Sequence, residues 1–444
     1  MKLISYQSLN VPGTTGPHSA RARWIELSLL ACQAVLVLTC SAVLSMRYAD
    51  TSPEHLYKLL GIYSVSLLAI HLLLCRFAPD ADQLLFPLCA TLNGLGLIFI
   101  IRLDASTGKE LAGRQILWTL VGCLACVVFL LFISNPRSLA RISHIAGLTG
   151  LILLALPLVW PQPTAADARI WLKLGPFSIQ PGEFAKILFI LFFAILFTQK
   201  RALFTIAGTK IGPLSFPRLR DLAPIFLVWA LVMLIMGVSN DFGPALLFFL
   251  TVLGMLYIAT SRVSWLLIGI ALTTVGSVLI YAVSDKIQQR VSNMRDPLAN
   301  YYTIGNQLSE SLFGLSSGGI TGSGLGSGHP ELIPLAHSDF ILGAVGEELG
   351  LFGLAGVLLI FSLLSSRIFR IALRASHTYT KLMTAGFGLT LTLQVFIITG
   401  GISGLIPMTG LTTPFMSAGG SSIIANYIML ALLLRISHYE KSSS

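Results

Sequence analysis

Residues 263–283 read VSWLLIGIALTTVGSVLIYAV, twenty-one positions without a formal charge. A helix at a water-facing surface needs a polar side, and this segment has none. At 1.5 Å per residue it is long enough to cross a hydrocarbon layer about 30 Å thick. Working outward, runs of the same kind recur, and twelve spans are read: 24–46, 56–75, 84–101, 115–134, 143–160, 183–198, 222–238, 241–260, 263–283, 340–365, 382–402 and 420–437. Of the 444 residues, 55% are hydrophobic and 11% charged, with a mean hydropathy of +0.81. Soluble domains carry about 25% charge. This chain has too little polar surface to cover a water-facing body and too much apolar surface to stay disordered. A porin-like barrel is excluded as well, since its strands alternate apolar and polar residues over about 10 positions. The fold class is an all-α integral membrane protein, a polytopic helical bundle of about twelve transmembrane helices.

The net charge of +10 follows the membrane. An even number of spans puts both termini on one side, and most of the 29 Lys and Arg fall in segments on that same side. Lys200, Arg201, Lys210, Arg218 and Arg220 cluster in one loop, and Arg367, Arg370, Arg374 and Lys381 in another. The positive-inside rule then places both termini in the cytoplasm. The basic surplus reads as a topology signal, with contact to anionic membrane lipids as a lesser role, and argues against a nucleic-acid partner. The first 20 residues are polar and lack a signal peptide's pattern. All six cysteines lie in or at the ends of apolar runs, so no disulfide framework is implied. Cys123 and Cys126, a CxxC inside a span, read as a small-residue helix face.

The chain divides into a cytoplasmic segment 1–23, a pair of spans in 24–76, a core of 84–437 and a short cytoplasmic tail, 438–444. Within the core, 284–339 forms one long external segment ending in the tract SSGGITGSGLGSG at 316–328. The tract lacks the Lys-Ser/Thr ending of a nucleotide loop and follows no expected strand. It reads as a flexible stretch that lets backbone approach a ligand.

An ionisable group inside a span costs several kcal/mol unless it is paired or lines a wet cavity, so each marks a candidate site. Glu183 and Lys186 open the sixth span at a spacing that puts them on one helix face, where they can pair. Asp241 opens the eighth, where a carboxylate suits a helix N-terminus, and is read as structural. Glu347 and Glu348 lie about two turns into the tenth span, and at least one is expected to face a cavity. Arg102 and Asp104 leave the third span, and His337 and Asp339 precede the tenth. These groups gather on the external side, which favours an enzyme acting on a lipid-linked substrate over a carrier with a midplane site.

Several stretches resemble the SEDS proteins (shape, elongation, division and sporulation), the group of RodA and FtsW. They are IRLDA at 101–105, LKLGPFSIQPGEFAK at 172–186, NDFGPALLFF at 240–249, DPLANYYTIGNQLSESLFGLSSGGITGSGLGSG at 296–328, HSDFILGAVGEELGLFG at 337–353 and PMTGLTTPFMSAGGSS at 407–422. The two spans of 24–76 are additional to the family's usual arrangement. The resemblance implies a peptidoglycan glycosyltransferase that polymerises lipid II outside the bacterial cytoplasmic membrane, paired with a class B penicillin-binding protein. The acceptor hydroxyl needs a general base and the departing undecaprenyl diphosphate needs cations. Lys186 and Arg102 can supply positive charge, with a divalent cation as a helper. Trp118 matches a family tryptophan and can pack on a sugar or lipid. Glu183, Gln307, His337, Asp339 and Glu347 complete the substrate-binding candidates.

The family's pattern runs DPxxDPxGxGxQ, and its second Asp is the presumed catalytic carboxylate. Here Asp296 and Gln307 align its two ends, and the second Asp position is Asn300. A carboxamide has no usable basic lone pair at neutral pH. Either Asp296, four residues earlier, supplies the base beside Asn300, or the chain is a catalytically impaired scaffold for its partner. A lipid II flippase is the reading from another class.

Overall fold

The computed structural model describes residues 23–48, 53–161, 169–175, 177–205, 210–211, 214–215 and 219–442. Apart from Arg23, the segment 1–23 lies outside the described residues, as do most side chains of the basic loop near 200–220. The helices are α1 (Trp24–Arg47), α2 (Pro53–Phe77), α3 (Leu85–Thr107), α4 (Leu111–Phe132), α5 (Leu139–Val159), α6 (Pro181–Thr205) and α7 (Leu219–Val238). They continue as α8 (Phe242–Thr260), α9 (Ser264–Val283), α10 (Asp285–Arg295), α11 (Asn306–Gly318), α12 (Ile341–Arg374), α13 (Thr378–Ile402) and α14 (Gly420–Ser442). Among the described residues, eleven helices are long and apolar enough to cross a membrane. The remaining expected span, 222–238, lies in α7, whose described apolar part is Val228–Val238.

Helices outrun the hydrocarbon because backbone hydrogen bonding continues where side chains turn polar. Thus α3 extends past the expected end at 101 through Arg102 and Asp104 to Thr107, stopping at Gly108 in the left-handed region (φ 67). Likewise α14 continues through 438–442, so most of the expected tail is helix. A feature not expected from sequence is the hairpin between α5 and α6, where β1 (Leu172–Leu174) pairs antiparallel with β2 (Phe177–Ile179).

The bundle is layered by burial. α3 is its centre, with 83% of its apolar window buried, whereas α9 forms a rim with 6% buried. At Gly96 the backbone of α3 meets the backbone of Met416 so closely that no side chain would fit, the usual way membrane helices gain contact area. The N-terminal pair docks onto α3 and α4. Buried Arg23 donates to the Ala78 and Ala81 carbonyls at 3.0 and 2.9 Å, in the turn that follows α2. It also meets Glu26 at 2.5 Å, and Glu26 is bonded to His71 at 2.7 Å.

The glycine-serine tract is not the flexible stretch expected. α12 is broken at Gly350 (φ 66), which divides it into a buried segment from Ile341 and a long span ending at Arg374. The break strands backbone groups on both sides, and inside a membrane protein these must be met by protein. The tract meets them. Ser323 and Gly324 donate to the Glu347 and Glu348 carbonyls at 3.0 and 2.9 Å, while Leu351 and Phe352 donate to the Gly319 and Ile320 carbonyls at 2.9 and 3.2 Å. At Gly322 (φ 85) any Cβ would collide with the Glu348 carbonyl. The glycines bring backbone against backbone.

Candidate functional site

The ends of α6, α8, α10 and α13 on the face opposite the termini hold a charged cluster. Glu183 sits in the first turn of α6 and pairs with Lys186 at 2.9 Å. Lys186 donates to Gln394 Oε1 at 3.3 Å, and the Gln394 amide is oriented by donating to the Thr412 carbonyl at 2.6 Å. Beside them, with Thr390 and Asn426, lies a cavity of about 20 Å³, room for one water. A second cavity of about 20 Å³ lies under Arg169, Gln180, Ser239 and Asp241.

Asp241, read from sequence as structural, caps α8 without a side-chain hydrogen bond to its backbone. Burial pushes its carboxyl up to about 6; Lys286, Arg290 and Lys186 draw it down, and Glu183 pushes it up. Those charges are thus within electrostatic reach of one another. Lys286 reaches the Asn240 carbonyl at 3.2 Å and Arg290 the Thr409 carbonyl at 3.2 Å. Asp339 joins from the start of α12. Burial raises its carboxyl, opposed by the Ser338 hydroxyl and Arg290. Burial and Lys109 hold His337 below the ordinary histidine value. Asp339 Oδ2 and Arg290 Nη2 both lie within 4 Å of the position a side chain at Gly410 would take, so cations and carboxylates lie close together at these helix ends.

Arg102 and Glu347 are placed elsewhere. Arg102 is completely buried; it donates to Glu348 at 2.7 Å and to the Gly328 carbonyl at 2.8 Å, and meets Glu331 at 3.2 Å. Tyr48 of the N-terminal pair covers its guanidinium face at 5.0 Å. Glu348 also accepts from Gly326 at 3.0 Å, and Glu347 accepts from His329 at 2.6 Å. Neither glutamate faces an open cavity: both close a clamp on the glycine tract, because the broken α12 points them into it. Trp118 packs against Gly420 at the start of α14.

Asp296 and Asn300 do not share a helix face. α10 ends at Arg295, and residues 297–304 form turns. Exposed Asp296 accepts from the Ala299 N–H at 3.0 Å. The Asn300 amide donates to Ser292 Oγ and to the Asp296 carbonyl, both at 3.2 Å, which ties the turn together. Gln307 is exposed on α11. Among the described residues no three His, Cys, Asp or Glu side chains converge on a metal position. Lys286, Arg290 and Gln394 were missed in the sequence. The i, i+4 spacing of the first two at the start of a polar helix was the available signal.

The fold and these side chains define a polytopic membrane protein with a charged, water-sized cleft at the helix ends of one face. Residues 83–442 match the FtsW/RodA/SpoVE family of cell cycle proteins, and the chain belongs to that family. It is 43% identical to the peptidoglycan glycosyltransferase RodA of Mycobacterium leprae, over 96% of this chain and 92% of that one. It is 29% identical to a probable peptidoglycan glycosyltransferase FtsW of Aeromonas salmonicida, over 84% of this chain and 94% of that one. Among solved structures it is similar to a chain from a peptidoglycan synthase complex, with TM-score 0.66, 28% identity, and 81% and 98% of the two chains covered. It is also similar to the rod shape determining protein RodA of Thermus thermophilus, with TM-score 0.57, 25% identity, and 80% and 96% covered.

Proposed function

We propose that the chain is a peptidoglycan glycosyltransferase that polymerises lipid II at the outer face of the bacterial cytoplasmic membrane, with both termini cytoplasmic. The observation that carries this reading is the RodA relative matched over 96% of the chain; the charged cleft supplies chemistry that suits it. One sugar hydroxyl loses a proton and attacks the anomeric carbon of a second lipid-linked sugar, whose bond to diphosphate breaks. Lys186, Lys286 and Arg290 neutralise the charge that develops on the departing undecaprenyl diphosphate. Asp296 accepts the proton: it is exposed and its second oxygen is not used in the turn. Asn300 orients it by tying the turn. α10 carries Lys286 near its start and Asp296 just past its end, about 15 Å apart along the axis.

Arg102 and Glu347 act through the clamp, as groups that position the outer loop. Trp118, Gln307, His337 and Asp339 line the approach. A class B penicillin-binding protein is the partner that cross-links the product. The second reading, an impaired scaffold, draws on the Asn300 amide being committed to the turn. Purified protein and partner in liposomes, given lipid II, decide between the two. Glycan strands from the native sequence, lost in Asp296→Ala, support the enzyme. No strands from the native sequence, with activity appearing in Asn300→Asp, support the scaffold.

A further inference from the structure

On the face that carries both termini, a cavity of about 640 Å³ opens between the α2–α3 turn, the end of α12 and the end of α14. It is about thirty times the volume of either small cavity on the opposite face, far beyond a packing defect. Asp80, Ala81 and Asp82 of one wall and Ile25 of another precede residue 83, where the family match begins. The cavity is therefore completed by the N-terminal pair.

The opposite wall is basic. Arg367, Arg370 and Arg374 lie on one face of α12 at spacings of three and four residues, and Lys441 of α14 faces them. The acids present are already engaged. Asp82 accepts from Leu84 N–H at 2.9 Å and meets Arg367 at 3.7 Å. Glu440 accepts from Ser376 N–H at 2.9 Å and meets Arg137 at 3.4 Å, and Asp80 lies 3.8 Å from His438. Among the described residues, Arg370, Arg374 and Lys441 have no ion-pair partner. A helix C-terminus and a cytoplasmic loop each account for basic residues. They do not account for a roomy cavity whose carboxylates each already have a partner, one of them Arg367 of the basic wall itself.

We infer that this cavity binds a phosphate-bearing anion, through Arg370 and Arg374 with Lys441. Arginine forks match phosphate oxygens, and basic pockets between membrane helices on the cytoplasmic side receive anionic head groups. Two sources share this chemistry: the head group of an anionic phospholipid, and a soluble phosphorylated compound.

The test uses full-length protein in nanodiscs of phosphatidylcholine, titrated with phosphatidylglycerol, with retained lipid counted by native mass spectrometry. Glycerol phosphate is the soluble competitor. Arg370→Gln/Arg374→Gln is compared with Arg76→Gln/Arg141→Gln, a charge-matched pair at other helix ends of the same face. Saturable retention, weakened about tenfold or more in the first variant and less than about twofold in the second, supports the site. Glycerol phosphate displacing the lipid at comparable concentration supports it with a soluble ligand as the source; no displacement assigns the lipid. Equal weakening in both variants, or no saturable retention in the native protein, overturns it. Both variants change exposed side chains, and a shared unfolding temperature checks that each remains folded.

Discussion

Two charged regions lie toward the same face, and they are held in opposite ways. In the clamp, Arg102 and Glu348 are both completely buried. Glu348 takes Arg102 on one oxygen and the Gly326 N–H on the other. In the cleft, Glu183 has Lys186, whose side chain remains 14% exposed beside a space for water. The same residue types thus serve different ends. Charges enclosed and bonded to backbone fix a loop. Charges that are bonded only to side chains and sit beside a cavity keep capacity for a substrate.

If the clamp is structural and the cleft chemical, substitutions in the first should cost stability and substitutions in the second activity. Arg102→Met strands Glu348 without its counter-charge, and breaking such a buried pair costs about 3–5 kcal/mol. Thermal unfolding in detergent should show that loss. A variant as stable as the native protein but inactive would move Arg102 to the chemistry. Lys186→Gln should lower glycan polymerisation by about 100-fold or more, with an unfolding change of about 1–3 kcal/mol, smaller than that of Arg102→Met. A large unfolding change with activity retained would make the Glu183–Lys186 pair a structural one.

Asp241 sharpens the contrast through pH. Burial holds its proton to about 6, against 3.8 for an ordinary aspartate, so the folded protein binds that proton more tightly than the unfolded chain. Its contribution to stability therefore falls as pH rises from about 4 to 6. Asp241→Asn should remove that slope and gain stability relative to the native protein above pH 6. A slope unchanged by the substitution would place the titration elsewhere. The smallest effect belongs to Tyr48→Leu, which removes the ring over Arg102 and the 3.3 Å bond from its hydroxyl to the Gly326 carbonyl. About 1 kcal/mol is expected, read as a lower unfolding temperature. No shift would uncouple the N-terminal pair from the clamp.

The spans were legible in the amino-acid order alone. Uncharged runs such as 263–283 leave a helix no other stable surroundings than hydrocarbon, and every expected span falls on a helix. So was the Glu183–Lys186 pair, because neighbours three apart on a helix meet whatever packs around them. The roles of the remaining polar residues came from long-range packing. Whether Glu347 faces a cavity or a loop depends on the break at Gly350 and on a tract almost thirty residues earlier folding back onto it. Asp241 joins Lys286, forty-five residues away in the chain, only because α8 and α10 begin at the same place. Local spacing follows from backbone geometry, whereas partners distant in sequence are chosen by which buried polar groups are left to be satisfied.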